Sequence, residues 1–588
     1  MTSKGLVIIN TIEDVFNCRG DRLIARSFGS PWGSFVKYHS NHRWASTSGP
    51  VAGFFEIHAM ANINQGPSKA YLVGGGIASL ASAAYLIRDG GVPGRNIRIF
   101  EETCVLGGSL DGQGSPETGY FMRGGRMFTD EAYTCTYDLL SFIPSLVDPG
   151  KTVRDEIRTF NEAIKSHSHS RLVAGGAKVD VSIMGFSNKD RFDLIALMVV
   201  SEHTLGPKRI EDYFEPSFFK TNFWYMWCTT FAFQPWHSLV ELKRYLHRFI
   251  QEFPRITTLA GVKRTPYNQY DSIVRPVTKW LTDQGVQFFM NSQVIDLDFK
   301  YGSEGKGVER IHYVRDGAQK EIVVGSDDYV LVTIGSMTAA SSMGSMTAAP
   351  SLAPAQAGGS WALWETLAKK HADFGRPSVF DGHVQESKWL SFTVTLRDPT
   401  FFNLMENFTG DKAGTGGLVT FTGSSWLMSV VLARQPHFIG QPDHIQVFWG
   451  YGLFPDEEGN YVSKTMSECT GADILVELCH HLRFEKELPM IVETANCIPC
   501  MMPFITSQFM PRVKGDRPLV RPTGTTNIAF IGQFCEIADD VVFTVEYSVR
   551  SAQTAVYSLL SLDKDVSPLY KGQYDISVLL DSFKTMIH

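Results

Sequence analysis

The stretch Ala70-Tyr71-Leu72-Val73-Gly74-Gly75-Gly76-Ile77-Ala78-Ser79 decides the fold class, because a short apolar segment runs directly into a glycine-rich turn. The four residues before the turn predict a buried strand, and residues 80–88 after it predict a helix. A second apolar segment, Ile97–Phe100, predicts another strand, which ends at Glu101. Since β-α-β is the unit of a parallel sheet, the sequence predicts an α/β protein.

The turn has the spacing Gly74-x-Gly76-x-x-Ser79. In dinucleotide-binding domains the first glycine makes the tight turn and the second lets the backbone approach a pyrophosphate. The third small residue lets the helix lie close to the sheet. Glu101 is expected to accept hydrogen bonds from ribose hydroxyls and to repel a 2′-phosphate, which disfavours NADP. We therefore expect a doubly wound, Rossmann-like domain, with a glycine-rich turn of another α/β fold as the alternative.

Two later glycine segments favour FAD over NAD as the cofactor. Gly107-Gly108-Ser109-Leu110 follows the acidic strand end, where FAD proteins bring the backbone close to the cofactor. Residues 527–531 predict a late strand that leads to Gly532, near the expected position of the ribityl chain. The cofactor residues predicted on these grounds are Gly74, Gly76, Ser79, Glu101, Gly108, Ser109, Gly335 and Gly532.

Composition narrows the function classes. The 588 residues carry 54 basic and 61 acidic side chains, so a net charge of −7 argues against nucleic acid as a partner. Aromatic residues make up 12% of the chain, which indicates either large cores or a long apolar channel. Nine cysteines in no secreted pattern favour a reducing, cytoplasmic location, and Cys497-x-x-Cys500 alone predicts no metal site. No stretch is long and apolar enough to predict a membrane span.

The cofactor domain starts and ends at distant points of the chain, with other segments inserted. Residues 1–65 are expected to be poorly structured or to carry a targeting signal, which leaves mitochondrial import open. The predicted segments are 66–150 for the first part of the FAD domain, 151–275 for a mainly helical substrate region, 276–350 for returning FAD-domain strands and a flexible loop, 351–510 for an α/β substrate-binding lobe, 511–560 for the last part of the FAD domain and 561–588 for a helical tail.

Several long strings resemble the oleate hydratase family, once called the myosin-cross-reactive antigens. The likeness runs from about residue 66 to about residue 565 and excludes the N-terminal extension. The strings are Arg123-Gly124-Gly125-Arg126, Asn222-Phe223-Trp224-Tyr225-Met226-Trp227, Phe231-Ala232-Phe233-Gln234-Pro235-Trp236-His237-Ser238, Pro266-Tyr267-Asn268-Gln269-Tyr270-Asp271-Ser272, Met501-Met502-Pro503-Phe504-Ile505-Thr506-Ser507-Gln508-Phe509-Met510-Pro511-Arg512 and Phe543-Thr544-Val545-Glu546-Tyr547-Ser548-Val549-Arg550.

The resemblance implies an FAD-binding enzyme that adds water across the cis-9 double bond of oleic acid and gives 10-hydroxystearic acid. Related unsaturated C16–C18 acids are the expected substrates and water is the co-substrate. The flavin is expected to position the site and act electrostatically, without net redox. The resemblance also extends the cofactor contacts to Ser507 and to the segment Arg123, Gly124, Gly125 and Arg126.

The resemblance assigns the proton-donor role to Tyr245, with Tyr225 as a less favoured substitute. Gln269 is expected near the carboxylate or channel of the fatty acid, or alternatively in a turn. Most family members carry a water-activating glutamate where this chain has Met127, which cannot accept a proton. The water is then expected to be held by backbone carbonyls, by the flavin, or by Asp130 or Glu131, which would share a helical face with Met127.

Two other functions stay open at this stage. Loss of the glutamate suits an FAD-dependent isomerase of polyunsaturated fatty acids, and a non-catalytic protein that binds fatty acid and FAD is the other alternative. The aromatic stretch at 222–236 is expected to line the acyl channel. The tail at 567–588 is either an amphipathic surface for peripheral membrane contact or a helix of the core. A monomer and a homodimer are both compatible with the sequence.

Overall fold

The computed structural model describes residues 68–125, 127–352 and 358–587. The predictions for residues 1–65 and for Arg126 lie outside the described residues. The strands are β1 (Ala70–Val73), β2 (Ile97–Phe100), β3 (Gly112–Ser115), β4 (Gly119–Met122), β5 (Leu172–Ala174), β6 (Ala177–Lys178), β7 (Gln287–Phe289), β8 (Ser292–Gly302), β9 (Gly305–Arg315), β10 (Ala318–Val323), β11 (Tyr329–Thr333), β12 (Ser342–Met343), β13 (Trp389–Leu396), β14 (Val419–Phe421), β15 (Met428–Val431), β16 (Gln446–Gly452), β17 (Ala495–Met502) and β18 (Ile528–Ile531).

The helices vary from single turns to fifteen residues. They are α1 (Ile77–Arg88), α2 (Thr134–Leu140), α3 (Val153–Ala163), α4 (Asn188–Val199), α5 (Glu202–Leu205), α6 (Asn222–Phe231), α7 (Leu239–Arg248), α8 (Arg275–Asp283), α9 (Ser360–Lys370), α10 (Ser378–Asp381), α11 (Val384–Ser387), α12 (Thr400–Thr409), α13 (Gly471–Leu482), α14 (Leu488–Thr494), α15 (Val545–Leu559) and α16 (Ile576–Ile587).

A five-stranded parallel sheet in the order β18-β11-β1-β2-β7 forms the centre of the cofactor half. Its strands are largely apolar because helices cover both faces of such a sheet, and every residue of the central strand β1 and of the edge strand β18 is buried. The predicted β-α-β start is confirmed, with α1 beginning at Ile77. The α/β class and the discontinuous Rossmann-like domain are therefore confirmed, since β1 and its neighbours β11 and β18 come from distant parts of the chain.

An eight-stranded sheet in the order β12-β17-β13-β16-β15-β14-β5-β6 forms the second half. The neighbours are antiparallel except for the parallel pair β14 and β5. Backbone N–H groups of the small hairpin β3-β4 reach this sheet, since Tyr120 donates to the Thr395 hydroxyl at 2.8 Å and Met122 to the Thr393 hydroxyl at 3.2 Å. The hairpin thus fixes the segment that follows β4 between the two sheets.

Residues 276–350 contribute less to the cofactor sheet than the sequence predicts. Of their strands, β7 and β11 join it, whereas β8, β9 and β10 form a separate antiparallel sheet. The expected loop contains β12, which pairs with β17. Cys497 and Cys500 lie three positions apart on β17 and so point to opposite faces, and no group of metal-ligating side chains occurs in the described residues.

Candidate active site

The turn after β1 has the geometry of a phosphate cradle. Gly74 has φ +94°, and a Cβ there would lie 3.1 Å from Thr333, so this position requires glycine. Gly76 differs, because no atom of the described residues lies within 4 Å of its Cβ position. Gly76 is the N-cap of α1 and no described side chain caps the helix. The first-turn N–H groups therefore face open space, which suits an anion.

The second glycine turn lies directly against the first. Gly107 donates its N–H to the Gly75 carbonyl at 2.9 Å, and the Cβ position of Gly108 is 3.5 Å from the Gly76 Cα. Glu101 accepts from the Gly75 N–H at 2.7 Å through one oxygen and from Thr103 through the other. Its carboxylate is thus held beside the turn with lone pairs left for ribose hydroxyls. Ser109 lies half-buried in the same turn.

Thr333, at the end of β11, is a cofactor-domain residue that sequence reasoning missed. Its hydroxyl lies 3.3 Å from the buried Ser79 hydroxyl, which explains the serine in place of the third glycine. Its side chain also contacts the Cβ positions of Gly74 and Gly532 at 3.1 and 3.2 Å. Gly335 and Gly532 have φ of +66° and +97° and end β11 and β18. The carboxyl ends of β1, β11 and β18 therefore bring the predicted glycines to one edge of the sheet, where ligands bind in such folds.

The remaining predicted cofactor residues lie near the hairpin or deep in the core. Arg123 forms an ion pair with Asp111 at 2.7 Å. Gly124 is buried, whereas Gly125 is exposed with no described atom within 4 Å of its Cβ position. Gly125 thus leaves room for a planar ring against the backbone. Ser507 is fully buried and its hydroxyl donates to the Phe504 carbonyl at 2.8 Å, so its cofactor role stays a prediction.

Two neighbouring cavities lie beside the segment that follows β4. We call them the Tyr245 cavity and the Gln269 cavity after a residue that lines each. The same wall residues, Gly125, Met127, Thr230 and Phe543, belong to both. The two cavities therefore adjoin each other at Met127, and we refer to them together as the channel.

Buried ion pairs anchor the helix that carries Tyr245. Glu241 of α7 lies 3.0 Å from Arg512 and 3.1 Å from Arg517 and is fully buried. Burial by itself would raise the pKa of Glu241, but the facing guanidinium groups of Arg517, Arg512 and Arg244 lower it to about 2. The carboxylate therefore stays ionised at neutral pH, and α7 is held against the segment between β17 and β18 that carries both arginines.

Tyr245 lies in an apolar setting with its hydroxyl directed to the backbone. It is 1% exposed and donates to the Val542 carbonyl at 2.6 Å. The rings of Phe231, Phe233 and Phe249 surround it at centroid distances of 5.0 to 5.5 Å. The phenol is thus kept from bulk water and fixed beside the cavity.

The Gln269 cavity carries positive charge. Gln269, Arg264, Arg434 and His437 line it together with aromatic walls. Arg264 donates to the Gly414 carbonyl at 2.8 Å, and burial lowers its pKa to about 10, so it remains charged at neutral pH. Arg434 is exposed and marks the solvent side. Sequence reasoning found Gln269 but missed both arginines, because no motif connects them to it.

The structure corrects the expected water-holding residues. Residues 127–131 are not helical, since α2 begins at Thr134, so Asp130 and Glu131 do not share a helical face with Met127. The Asp130 side chain is 68% exposed and pairs with Lys263, and Glu131 lies 3.6 Å from Arg255. Neither lines the Tyr245 cavity. Among the described residues that line this cavity, Glu252 is the one with a carboxyl side chain, and sequence reasoning missed it.

The aromatic stretch at 222–236 contributes mainly to the core. Phe231 lines the Tyr245 cavity, but Phe223 and Trp227 stack on each other and on Phe253. Tyr225 lines neither cavity, which separates it from Tyr245. The channel walls instead come from distant aromatic residues, namely Phe160, Trp389, Trp449, Tyr451 and Phe543.

The C-terminal helix α16 leaves most of its apolar side chains exposed. Ile576, Leu580 and Phe583 are 74%, 54% and 48% exposed. The helix is attached through Ser582, whose hydroxyl donates to the Ile250 carbonyl at 3.1 Å. The interpretation of this tail as a core helix is therefore wrong. No helix in the described part of the chain is long and apolar enough to cross a bilayer.

Together these features define an α/β protein with a glycine-rich turn and an open helix N-terminus at the edge of a parallel sheet, and with two adjoining cavities. The chain belongs to the MCRA family, whose model matches residues 67–557. It is 40% identical over 549 residues to the oleate hydratase of Streptococcus pyogenes, covering 91% of this chain and 92% of that protein. It is 34% identical over 543 residues to the linoleate hydratase of Lactiplantibacillus plantarum, covering 85% of this chain and 94% of the relative.

Among solved structures, cyclohexylamine oxidase from Brevibacterium oxydans matches with a TM-score of 0.47 and 13% identity, over 84% of this chain and 99% of that one. The family predicted from the sequence is confirmed by the family model and by both relatives.

Proposed function

We propose that the protein is a fatty-acid hydratase that adds water across the cis-9 double bond of unsaturated C16–C18 acids and converts oleate to 10-hydroxystearate. The observation that carries the proposal is the channel itself, with a buried phenol at one end and cationic groups at the other. Hydratases that are 40% and 34% identical over most of this chain support the same reaction class. The isomerase and the binding protein remain the alternative functions.

The channel orients the substrate by charge. The acid's carboxylate is placed at the Gln269 cavity, where Arg264 and Arg434 supply positive charge and Gln269 an amide. The acyl chain then passes Met127, whose apolar side chain keeps the junction dry, and brings the alkene to Tyr245. Holding the reacting groups together in this way lowers the entropic cost of the reaction.

Tyr245 is the proposed proton donor. The hydrogen bond to the Val542 carbonyl orients its hydroxyl, and rotation about the C–O bond turns the proton toward the alkene. Protonation of C9 by Tyr245 leaves cationic character at C10. The faces of Phe231 and Phe249 stabilise this charge, because aromatic rings carry a negative face. Water then adds to C10.

The cofactor is proposed to be FAD. The uncapped N-terminus of α1 suits the pyrophosphate, Glu101 the ribose, and the open backbone of Gly125 the isoalloxazine ring. When bound, the flavin supplies a planar polar wall and an electrostatic field beside the channel. The residues present therefore fit the group.

The test of the hydratase proposal is incubation of the FAD-loaded protein with oleate or linoleate in H₂¹⁸O. We expect an ¹⁸O-labelled hydroxy acid, and we expect Tyr245→Phe to lower the rate by about 10²- to 10⁴-fold, the usual contribution of a general acid. Tyr225→Phe is the matched control, since Tyr225 lines neither cavity, and it should keep the activity. A shifted diene without label would identify an isomerase instead, and bound but unchanged acid a binding protein.

A further inference from the structure

A buried carboxyl group lies in the same cavity as the proposed proton donor. Glu252 lines the Tyr245 cavity and is 4% exposed. It lies in the 3₁₀ turn Ile250–Glu252, which follows the end of α7 at Arg248 after the non-helical residue Phe249. Tyr245 and Glu252 line the same cavity, so an alkene and a water in that cavity can lie between the phenol and the carboxyl group.

One oxygen of this carboxyl group has unused hydrogen-bonding capacity. Oε1 accepts from Arg255 Nη2 at 2.5 Å, whereas the buried Oε2 has no hydrogen-bond donor in the described part of the chain. A buried acceptor without a donor is costly. Because the Glu252 side chain lines the cavity, this oxygen has the free acceptor capacity to take a hydrogen bond from a water molecule that enters it.

The backbone around Glu252 holds the carboxyl group in place. The Glu252 N–H donates to the Phe249 carbonyl at 2.9 Å, and the Arg255 N–H donates to the Glu252 carbonyl at 3.0 Å. Gly261 packs directly against the carboxyl group, because a Cβ at Gly261 would lie 2.3 Å from Oε2 and 2.4 Å from Oε1. The absence of a side chain at Gly261 thus gives the carboxyl group its space.

We propose that Glu252 holds and deprotonates the attacking water, the role for which the family resemblance expects a glutamate at the position of Met127. This inference rests on the proposed hydratase activity. The alkene π pair forms the C9–H bond with the Tyr245 proton, and a water lone pair forms the C10–O bond. One proton of the attacking water stays in the new hydroxyl group, and the other passes to Glu252 Oε2. Exchange with solvent then removes the proton from Glu252 and returns a proton to the Tyr245 phenolate. One water is added, and no oxidant or reductant is needed.

The electrostatic surroundings suit a base of this kind. Burial raises the pKa of Glu252 to about 7, with Arg255 and Lys263 lowering it and Glu131 raising it further. Tyr570 belongs to the same group of interacting side chains, because burial, Glu131 and Glu252 raise its pKa and Arg255 lowers it. General bases work best with a pKa near the working pH.

The experiment compares the pH dependence of kcat for oleate hydration in the FAD-loaded wild type and in Glu252→Gln. We expect the wild-type rate to fall below about pH 7. Glu252→Gln should lower kcat by about 10²-fold or more, abolish this acid limb and leave KM and flavin content close to wild type. Glu321→Gln is the matched control and should keep both rate and limb, because Glu321 is an exposed residue of β10 that pairs with Arg310 and does not line the cavity.

Two further variants keep the result interpretable. Glu252→Asp should retain the acid limb at a lower rate, and Met127→Glu in the Glu252→Gln background should restore hydration by returning a carboxylate to the channel. A Glu252→Gln enzyme that hydrates oleate within about two-fold of wild type with an unchanged acid limb overturns the assignment of Glu252. If wild type forms no hydroxy acid at all, the hydratase proposal itself fails, which is a different outcome.

Discussion

Replacing Glu252 with glutamine is predicted to stabilise the protein above neutral pH. Burial raises the pKa of Glu252 from an ordinary 4.5 to about 7 in the folded chain. The folded state therefore holds a proton that the unfolded state has already lost between these two values. Stability must fall as pH rises through this window. Glutamine has no proton to lose, so the variant does not pay this cost.

The size of the effect follows from the two pKa values. Each pH unit in the window is worth about 1.4 kcal/mol, so we expect the advantage of Glu252→Gln to grow by about 2–3 kcal/mol between pH 5 and pH 8. Unfolding entropy is about 2 cal/mol/K per residue. For a chain of 588 residues the gain is then about 2 °C in Tm. Arg255 is not left alone in the variant, since Glu131 lies 3.6 Å from it.

The assay is the difference in thermal midpoint between variant and wild type at pH 5, 6, 7 and 8, with saturating FAD and one scan rate. The difference between the two proteins isolates Glu252 from the carboxylates that titrate in both. Glu321→Gln serves as the control and should show no comparable trend, because Glu321 is an exposed residue of β10 that pairs with Arg310. A difference that stays flat from pH 5 to pH 8, or that reverses sign, would refute the view that Glu252 is ionised at a cost in the folded protein.

Three further predictions concern the cofactor, the substrate and the membrane. Gly76→Ala should fold normally, because the Cβ position of Gly76 faces open space, but it should bind less FAD as measured by flavin absorbance. Gly74→Ala should also lower Tm, because Gly74 has φ +94°. Gly423→Ala is the control, since its Cβ position also faces open space. Full FAD binding by Gly76→Ala would contradict the proposed phosphate cradle. Arg434→Gln should raise KM for oleate about ten-fold, the equivalent of about 1.4 kcal/mol, without changing kcat; equal KM values would exclude Arg434 as a carboxylate contact. Leu580→Glu with Phe583→Glu should reduce co-sedimentation with anionic liposomes while leaving hydration of soluble substrate intact; unchanged sedimentation would exclude α16 as the docking surface.

Local sequence signals predicted the fold around the glycine-rich turn, whereas its role in binding FAD stays a prediction. Glycine is required at position 74 because the backbone has a positive φ there, and glycine at position 76 leaves the space beside the helix N-terminus open. Both residues lie within a few positions of β1, so a local pattern was enough to find them. The register of the parallel sheet then brings Gly335 and Gly532 to the same edge. Thr333 was missed because the residues that it contacts, Gly74, Ser79 and Gly532, are all far from it in the sequence.

The channel was harder to predict because aromatic content does not show which way a ring faces. The stretch at 222–236 looked like a channel wall, yet Phe223 and Trp227 stack into the core. Arg264 and Arg434 meet at the Gln269 cavity only through tertiary packing. Glu252 did have a local signal, namely a carboxylate in the stripe that contains Tyr245 and Phe249. That stripe is recognisable only after Tyr245 is known to face a cavity.

The position of Glu252 gives a physical reason why this chain tolerates Met127. Tyr245 lies on α7 and Glu252 on the 3₁₀ turn that follows it one residue later, and the ion pairs of Glu241 with Arg512 and Arg517 hold α7 in place. The proposed acid Tyr245 and the proposed base Glu252 then keep their distance from each other without contacts from the segment after β4, which carries Met127. Met127 is free to be apolar, and an apolar junction protects a cationic intermediate from stray water. The cost is a carboxyl group buried with one oxygen unpaired, and that lost stability is the expected consequence of placing a base in a dry channel.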